Sequence, residues 1–411
     1  MKILLLPPYF TPEQMASTHL DEHRYRAFAD EGYKMSLYTP SPTRGVSEKL
    51  RAEYSSRRHE VMYNGMMQVC RFPMFREGSN PVMRALRYTL CWFRQFLHGW
   101  RAKGISIIFL VSTPPIQGVI GALLKKIKKV PFVYNLQDIF PDSLVGTGLA
   151  KKDGLLWKIG RMIENFTYRN ADKIIVISEG FKKNIMEKGV PENKIEIIYN
   201  WVDEDAVKHV PREENKLFDK YGLDRNKFYI TYCGNIGLTQ NMDMLLEVAK
   251  ELETEEDIQF VLIGEGAYKA KVQEIIQEKE IKNVTLLPFQ PYEDISHVFS
   301  LGDAGLVISK PGVGENSVPS KTWSILSASR PVLVNFDENE LKTIIDKHQC
   351  GFYTKAGDKT AFKDAISELY QNSDLCREMG FNGRQFILKN LTRTAGTQKY
   401  VDVIKMFEKR E

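Results

Sequence analysis

Gly305-Leu306-Val307-Ile308-Ser309-Lys310-Pro311-Gly312-Val313-Gly314-Glu315-Asn316-Ser317-Val318-Pro319-Ser320-Lys321-Thr322-Trp323-Ser324 runs on through apolar residues to Ala328 and then to Pro331-Val332-Leu333-Val334. An apolar run, a Gly-rich loop, a proline suited to a first helical turn and a second apolar run spell strand, loop, helix and strand. Such a loop aims backbone N–H groups along a helix dipole, which favours an anion by roughly 0.3–1 kcal/mol per charge. Lys310 and Lys321 would add to that attraction. Alone, the stretch reads equally well as an ordinary strand-to-helix loop with two solvated lysines, so other turns must decide.

Two further turns bear on it. Gly234-Asn235-Ile236-Gly237 follows the apolar Phe228–Cys233 run, and Gly264-Glu265-Gly266 follows Gln259–Ile263. With strands also expected at Asn283–Leu287, Asp303–Val307 and Pro331–Val334, the carboxyl half is an α/β series with three phosphate-competent turns on one sheet edge. A nucleoside diphosphate suits that arrangement.

The amino half repeats the pattern. Lys2–Leu6 reads as a buried strand, Met15–Ala29 as an amphipathic helix and Lys34–Tyr38 as a parallel return. Pro7 to Glu13 occupies the strand's carboxyl end, where open α/β sheets place ligands, but its three prolines exclude the GxGxxG of a nicotinamide dinucleotide site. Residues 41 to 80 are polar until Met67–Phe72 and read as a lid or edge insertion. Strands are expected at Ile105–Ser112, Phe132–Asn135, Lys173–Ser178 and Lys194–Tyr199, with helices near 115–128, 153–170 and 179–189, which makes a doubly wound sheet. The expected division is an amino domain over 1–205, a carboxyl domain over 206–390 and a last helix within 391–411 that packs back on either.

A chain of 411 residues with 43% apolar content supports two packed domains, and a net charge of +5 does not by itself call for nucleic acid. Its five cysteines are widely spaced and make no CxxC or metal-ligand pattern, which fits a reducing, cytoplasmic setting. No apolar run is long enough for a secretory core or a membrane span. From Gly78 to Gln137 there is no acidic residue, while Arg87, Arg94 and Arg101 alternate with Trp92, Phe93, Phe96 and Trp100. Arginines among aromatics at helical spacing describe an interfacial helix on an anionic membrane leaflet, or else a crossover helix whose aromatics pack on the sheet.

Asn135-Leu136-Gln137-Asp138-Ile139-Phe140-Pro141-Asp142 ends a buried strand with two carboxylates, which either orient an acceptor hydroxyl or cap a helix. Asp203-Glu204-Asp205 matches a metal-binding pattern but sits in a charged interdomain segment, so it reads as solvated acid and no metal is expected. His19 and His23, with Asp21 and Glu22 between them, lack the HExxH form of a zinc site.

At these residues the chain resembles a GT-B glycosyltransferase of the large retaining family 4. Within it, the likeness is to bacterial O-antigen and capsule transferases that handle N-acetylfucosamine-type sugars. The motifs that carry it are Asp138–Asp142, Asn200–Asp203, Gly234–Gln240, Gly264–Gly266, Val318–Lys321 and Arg330–Val332. The resemblance implies two Rossmann-like domains facing a central cleft, with a UDP-sugar co-substrate as donor and no further cofactor. The donor residues would be Gly234, Asn235, Gly237, Gln240, Gly264, Glu265, Lys310, Asn316, Ser317, Ser320, Lys321 and Ser324. The acceptor residues would be Tyr9, His19, Asp138 and Asp142, with Lys321, Asp138 and Asp142 nearest the chemistry. The expected acceptor is a polyprenyl-diphosphate-linked saccharide at the inner face of the cytoplasmic membrane, with no nucleic acid as partner.

The chain also departs from the family. The usual paired glutamates would fall at Asn316 and Ser324, and the usual Arg and Lys at Asn235 and Gln240, so neutralisation of a diphosphate falls to Lys310, Lys321 and backbone N–H groups. A UDP-sugar 2-epimerase on the same fold would need no lipid surface. A basic membrane- or nucleic-acid-binding module would need no three turns for phosphate.

Overall fold

The computed structural model describes residues 1–13, 18–76, 81–143, 151–314 and 318–408. They form two units, one of residues 1–199 with 397–411 and the other of residues 200–396.

The first unit is built on an eight-stranded sheet ordered β3-β4-β2-β1-β5-β6-β7-β8. Its strands are β1 (Lys2–Leu5), β2 (Lys34–Pro40), β3 (His59–Met62), β4 (Met67–Phe72), β5 (Ile107–Val111), β6 (Phe132–Leu136), β7 (Lys173–Val176) and β8 (Ile195–Ile197). The central strands are near-continuous apolar runs because helices cover both faces of the sheet, and Leu4, Ile108, Phe132 and Ile174 are wholly buried. Register follows from that burial, with Leu4 opposite both Ser36 and Ile108. Within 41–76 the expected edge insertion is a helix, Glu48–Ser56, and the antiparallel β3–β4 pair at the sheet margin. The last helix, Arg393–Lys405, sends its second half into this unit. Tyr400 is buried with its hydroxyl on Asn135 (3.2 Å), the Arg24 guanidinium lies 4.8 Å from its ring, and Lys405 pairs with Glu31 at 2.8 Å.

The second unit carries a six-stranded parallel sheet ordered β11-β10-β9-β12-β13-β14. These strands are β9 (Phe228–Cys233), β10 (Ile258–Ile263), β11 (Val284–Leu287), β12 (Ala304–Ile308), β13 (Val332–Phe336) and β14 (Gly351–Lys355). Its core gathers Ile230, Tyr232, Leu262, Leu306 and Leu333 from the sheet with Leu245, Val248 and Ile366 from the helices above it. The acidic segment expected at the domain boundary belongs to this unit. The Asp203 carboxylate accepts from Asp205 and Ala206 N–H, Glu204 accepts from Arg393 N at 2.8 Å, and the Arg393 guanidinium lies near Asp203 and Asp205. These acids therefore cap and neutralise the start of the last helix.

Candidate active site

The carboxyl ends of β10, β9 and β12 lie side by side, which brings the three Gly-bearing turns to one edge of the second sheet. The first two are stacked. Gly264 has φ 156°, and a Cβ there would fall 1.9 Å from the Gly234 carbonyl oxygen; one on Gly266 would fall 2.2 Å from that of Ile236. Only glycine permits this approach. Asn235 lies against Gly266, Ile236 N donates to Glu265 O (2.9 Å), and Gly237 N donates to the Gln240 side chain (3.0 Å).

This architecture corrects the expectation that the turns offer unused N–H groups. Gly234 N is taken by Ile263 O, Gly264 N by Leu287 O and Lys310 N by Thr239 O. In the third turn, Gly312 N and Gly314 N donate to the two carboxylate oxygens of Asp337, at 2.9 and 2.7 Å. An internal carboxylate thus sits where the glycine loop was expected to hold a phosphate. Asn235 and Gln240 fasten the turns, and Glu265 pairs with Lys269 at 2.7 Å. Asn316 and Ser317 lie outside the described residues. The helix that follows, Lys321–Ser327, is short, with Ser320 as its helical N-cap and Ser324 half-buried within it.

Positive charge at this edge therefore comes from side chains. Lys321 Nζ donates to the Tyr232 hydroxyl at 2.8 Å and lies 4.0 Å from that ring's centre; the same hydroxyl donates to Asn235 O at 2.6 Å. The ammonium packs against Gly234, 3.2 Å from where a Cβ would be. Among the described residues it makes no ion pair, and burial lowers its pKa to about 8. Lys310 stands over the Tyr268 ring with its Nζ 5.4 Å from the centre. Tyr232 is a residue that sequence reasoning missed: it sits mid-strand in a run of β-formers, and only the fold reveals that it aims Lys321.

In the first unit, Tyr9 lies past β1 with its hydroxyl 3.0 Å from that of Tyr88 and 3.2 Å from an Arg87 guanidinium nitrogen. Beneath it the buried Glu13 carboxylate accepts from Thr43, Arg44 and Phe10 N–H, fixing the proline-rich segment. His19 is half-buried, its ring edge-on to that of His23 at 6.0 Å. Asp138 and Asp142 differ. Burial raises the Asp138 pKa against a hydrogen bond from Ser143, whereas burial at Asp142 is outweighed by Lys188 at 2.7 Å, so that carboxyl is held below its usual range. Asp142 is thereby engaged in an ion pair through one carboxylate oxygen, whereas Asp138 has no such cation among the described residues.

The aromatic–basic helix, Pro81–Arg101, divides in the same way. Arg87 is fully buried and bonds Tyr9 and Thr43, so it belongs to the interior and not to an outer face. Trp92 and Phe96 pack on the core, while Phe93 and Trp100 are each 53% exposed and Arg94 and Arg101 lie outside. No helix among the described residues is long and apolar enough to cross a membrane.

Two family models match in succession, the "Glycosyl transferase 4-like domain" over residues 22–201 and "Glycosyl transferases group 1" over 213–386. With the two parallel-sheet units, they define the chain as a glycosyltransferase of the GT-B type. Among its relatives are a putative colanic acid biosynthesis glycosyl transferase, WcaI, from Escherichia coli (26% identical, covering 80% of this chain and 81% of that one) and a probable glycosyltransferase, WbjE, from Pseudomonas aeruginosa (25%, 74% and 76%). Anabaena HepE in complex with UDP and glucose has the same fold, with a TM-score of 0.72 at 16% identity over 99% of this chain and 100% of that one.

Proposed function

We propose that the enzyme transfers a sugar, an N-acetylamino hexose, from a UDP-sugar to a polyprenyl-diphosphate-linked saccharide in surface polysaccharide assembly, with retention of anomeric configuration. The observation that carries the donor half is the Lys321 ammonium, drawn out of water beside two stacked glycine turns and, among the described residues, with no carboxylate to neutralise it. A diphosphate supplies the missing charge. HepE binding UDP and glucose on the same fold supports the choice of uridine, and the WcaI relative supports a polysaccharide product.

The reaction needs no dedicated base in the second unit. The acceptor oxygen attacks the anomeric carbon on the face from which UDP departs, and the departing β-phosphate oxygen takes the acceptor's proton. Lys321, held by Tyr232, stabilises the charge that develops on that oxygen. Asp138, at the carboxyl end of β6, orients the acceptor hydroxyl, with Tyr9 and His19 on the acceptor side.

A lipid-linked acceptor calls for a membrane surface. On Pro81–Arg101, Phe93 and Trp100 are exposed; on Leu155–Asn170, so are Leu155, Leu156 and Met162, and the Gln117–Lys128 helix packs against both helices. Lys151, Lys152, Lys158, Arg94 and Arg101 are also exposed on or beside these two helices, so apolar side chains and cations together suit peripheral docking on an anionic leaflet. The test is incubation with a panel of UDP-sugars and a polyprenyl-diphosphate sugar, followed by mass and anomeric analysis. An extended lipid product with the donor's α configuration is expected. Turnover with no UDP-sugar, or a β product, overturns the proposal.

A further inference from the structure

At the opposite edge of the second sheet, the amino ends of β9, β12 and β13 open into a cavity of about 570 Å³. It is separated from the glycine turns by the length of β9, roughly 20 Å for a strand of this size. Its depth is marked by Arg330. The helix Lys321–Ser327 ends, Ser329 turns the chain with φ 57°, and the Arg330 side chain enters the wall.

Among the described residues the Arg330 side chain has one hydrogen bond, from a terminal guanidinium nitrogen to Ser300 O at 3.0 Å, and its Nε is buried with no partner. Asp303 offsets part of that charge, but its own oxygens are already engaged. Asp303 spends one carboxylate oxygen on Arg212 at 2.5 Å and the other on Tyr229 N at 2.8 Å. Arg212 is itself committed to Asp303 and to two backbone carbonyls. Burial accordingly works against the charge on Arg330 and lowers its pKa. The rest of the wall is mixed, with the Ser329 and Ser373 hydroxyls, the Glu213 carboxylate, Arg377 at the rim in an ion pair with Asp374, and the rings of Phe228, Tyr370 and Phe381. Phe381 is 61% exposed, an apolar ring left open at the mouth.

A buried guanidinium with spare donors, hydroxyls beside it and aromatic surface around it matches an anion joined to a ring. We infer that this cavity is a second ligand site, distinct from the donor edge, that takes a small phosphomonoester carried on a sugar or nucleoside. The volume is that of a typical small-molecule pocket. The phosphate accepts from Arg330 and the ring lies against Phe381 and Tyr370.

The site is tested by calorimetric titration of the full chain with glucose 6-phosphate, with AMP and with inorganic phosphate. At least one of the two ring-bearing phosphates is expected to bind more tightly than inorganic phosphate, and which one binds names the ring. Arg330→Gln should weaken that binding about 10-fold or more, while affinity for UDP stays within about 2-fold. If Arg330→Gln does not fold, Arg377→Ala and Phe381→Ala, both on the exposed rim, should each weaken the same titration. Absence of binding by both ring-bearing phosphates, displacement of the bound one by UDP, or affinity unchanged in the variants overturns the inference. None of these outcomes bears on whether UDP binds at Lys321.

Discussion

Replacing Lys321 with methionine should make the protein more stable at neutral pH while abolishing its use of UDP. The ammonium's pKa falls from 10.5 to about 8 because it is desolvated in the fold, with no carboxylate partner among the described residues. Each tenfold change in proton affinity is ~1.4 kcal/mol, so keeping this charge in the folded state costs about 3 kcal/mol. That cost is fully present below pH 8 and is relieved as pH rises from 8 towards 10.5, where the folded protein holds the lysine neutral and the unfolded chain still binds its proton. Methionine keeps most of the length and apolar volume, loses the contact to the Tyr232 hydroxyl, and removes the desolvated charge. Urea unfolding of parent and variant at pH 7 and at pH 9.5 measures the difference. A gain of about 1–3 kcal/mol at pH 7 that shrinks at pH 9.5 is expected. A variant less stable than the parent at pH 7, or a gain indifferent to pH, would refute the claim that Lys321 is a charge waiting for an anion.

Gly264→Ala places a methyl 1.9 Å from the Gly234 carbonyl oxygen and should destabilise the second unit by about 2 kcal/mol or more, read as a lowered unfolding midpoint with weaker UDP binding. Chelator treatment should leave transfer unchanged, because Asp203 and Glu204 are engaged at the start of the last helix; activity lost to EDTA and restored by magnesium or manganese would reverse that. Binding to anionic vesicles should fall with rising salt and fall again in a Phe93→Ser, Trp100→Ser, Leu156→Ser, Met162→Ser variant, all four being exposed; equal binding by parent and variant would leave these residues without a docking role.

The framework was legible wherever the pattern was local. Phe228–Cys233 is a strand to the residue, since a buried strand between helix-covered faces writes itself as a short apolar run bounded by turns. His59–Met62 left no such mark, because its half-exposed residues lie on a sheet margin. The three turns were found from their glycines, but what their N–H groups do was not, because the answer comes from far along the chain. Asp337 reaches Gly312 across 25 residues, and Tyr232 meets Lys321 across 89. Arg87 shows the same limit. On a helix of arginines and aromatics it reads as surface, yet loops carrying Tyr9 and Thr43 close over it, and buried polar contacts of that separation have no local signature. Asp142 read as an acceptor contact or a helix cap, and its ion pair with Lys188, 46 residues on, had no local signature.

The proposed role of Lys321 as the cation that receives the nucleotide's diphosphate is tested most directly by equilibrium titration of UDP at pH 7.5 into the parent and the Lys321→Ala variant. Loss of a desolvated charge partner predicts binding at least about 30-fold weaker, with transfer down by about 100-fold. A folded variant that binds UDP as tightly as the parent would contradict it.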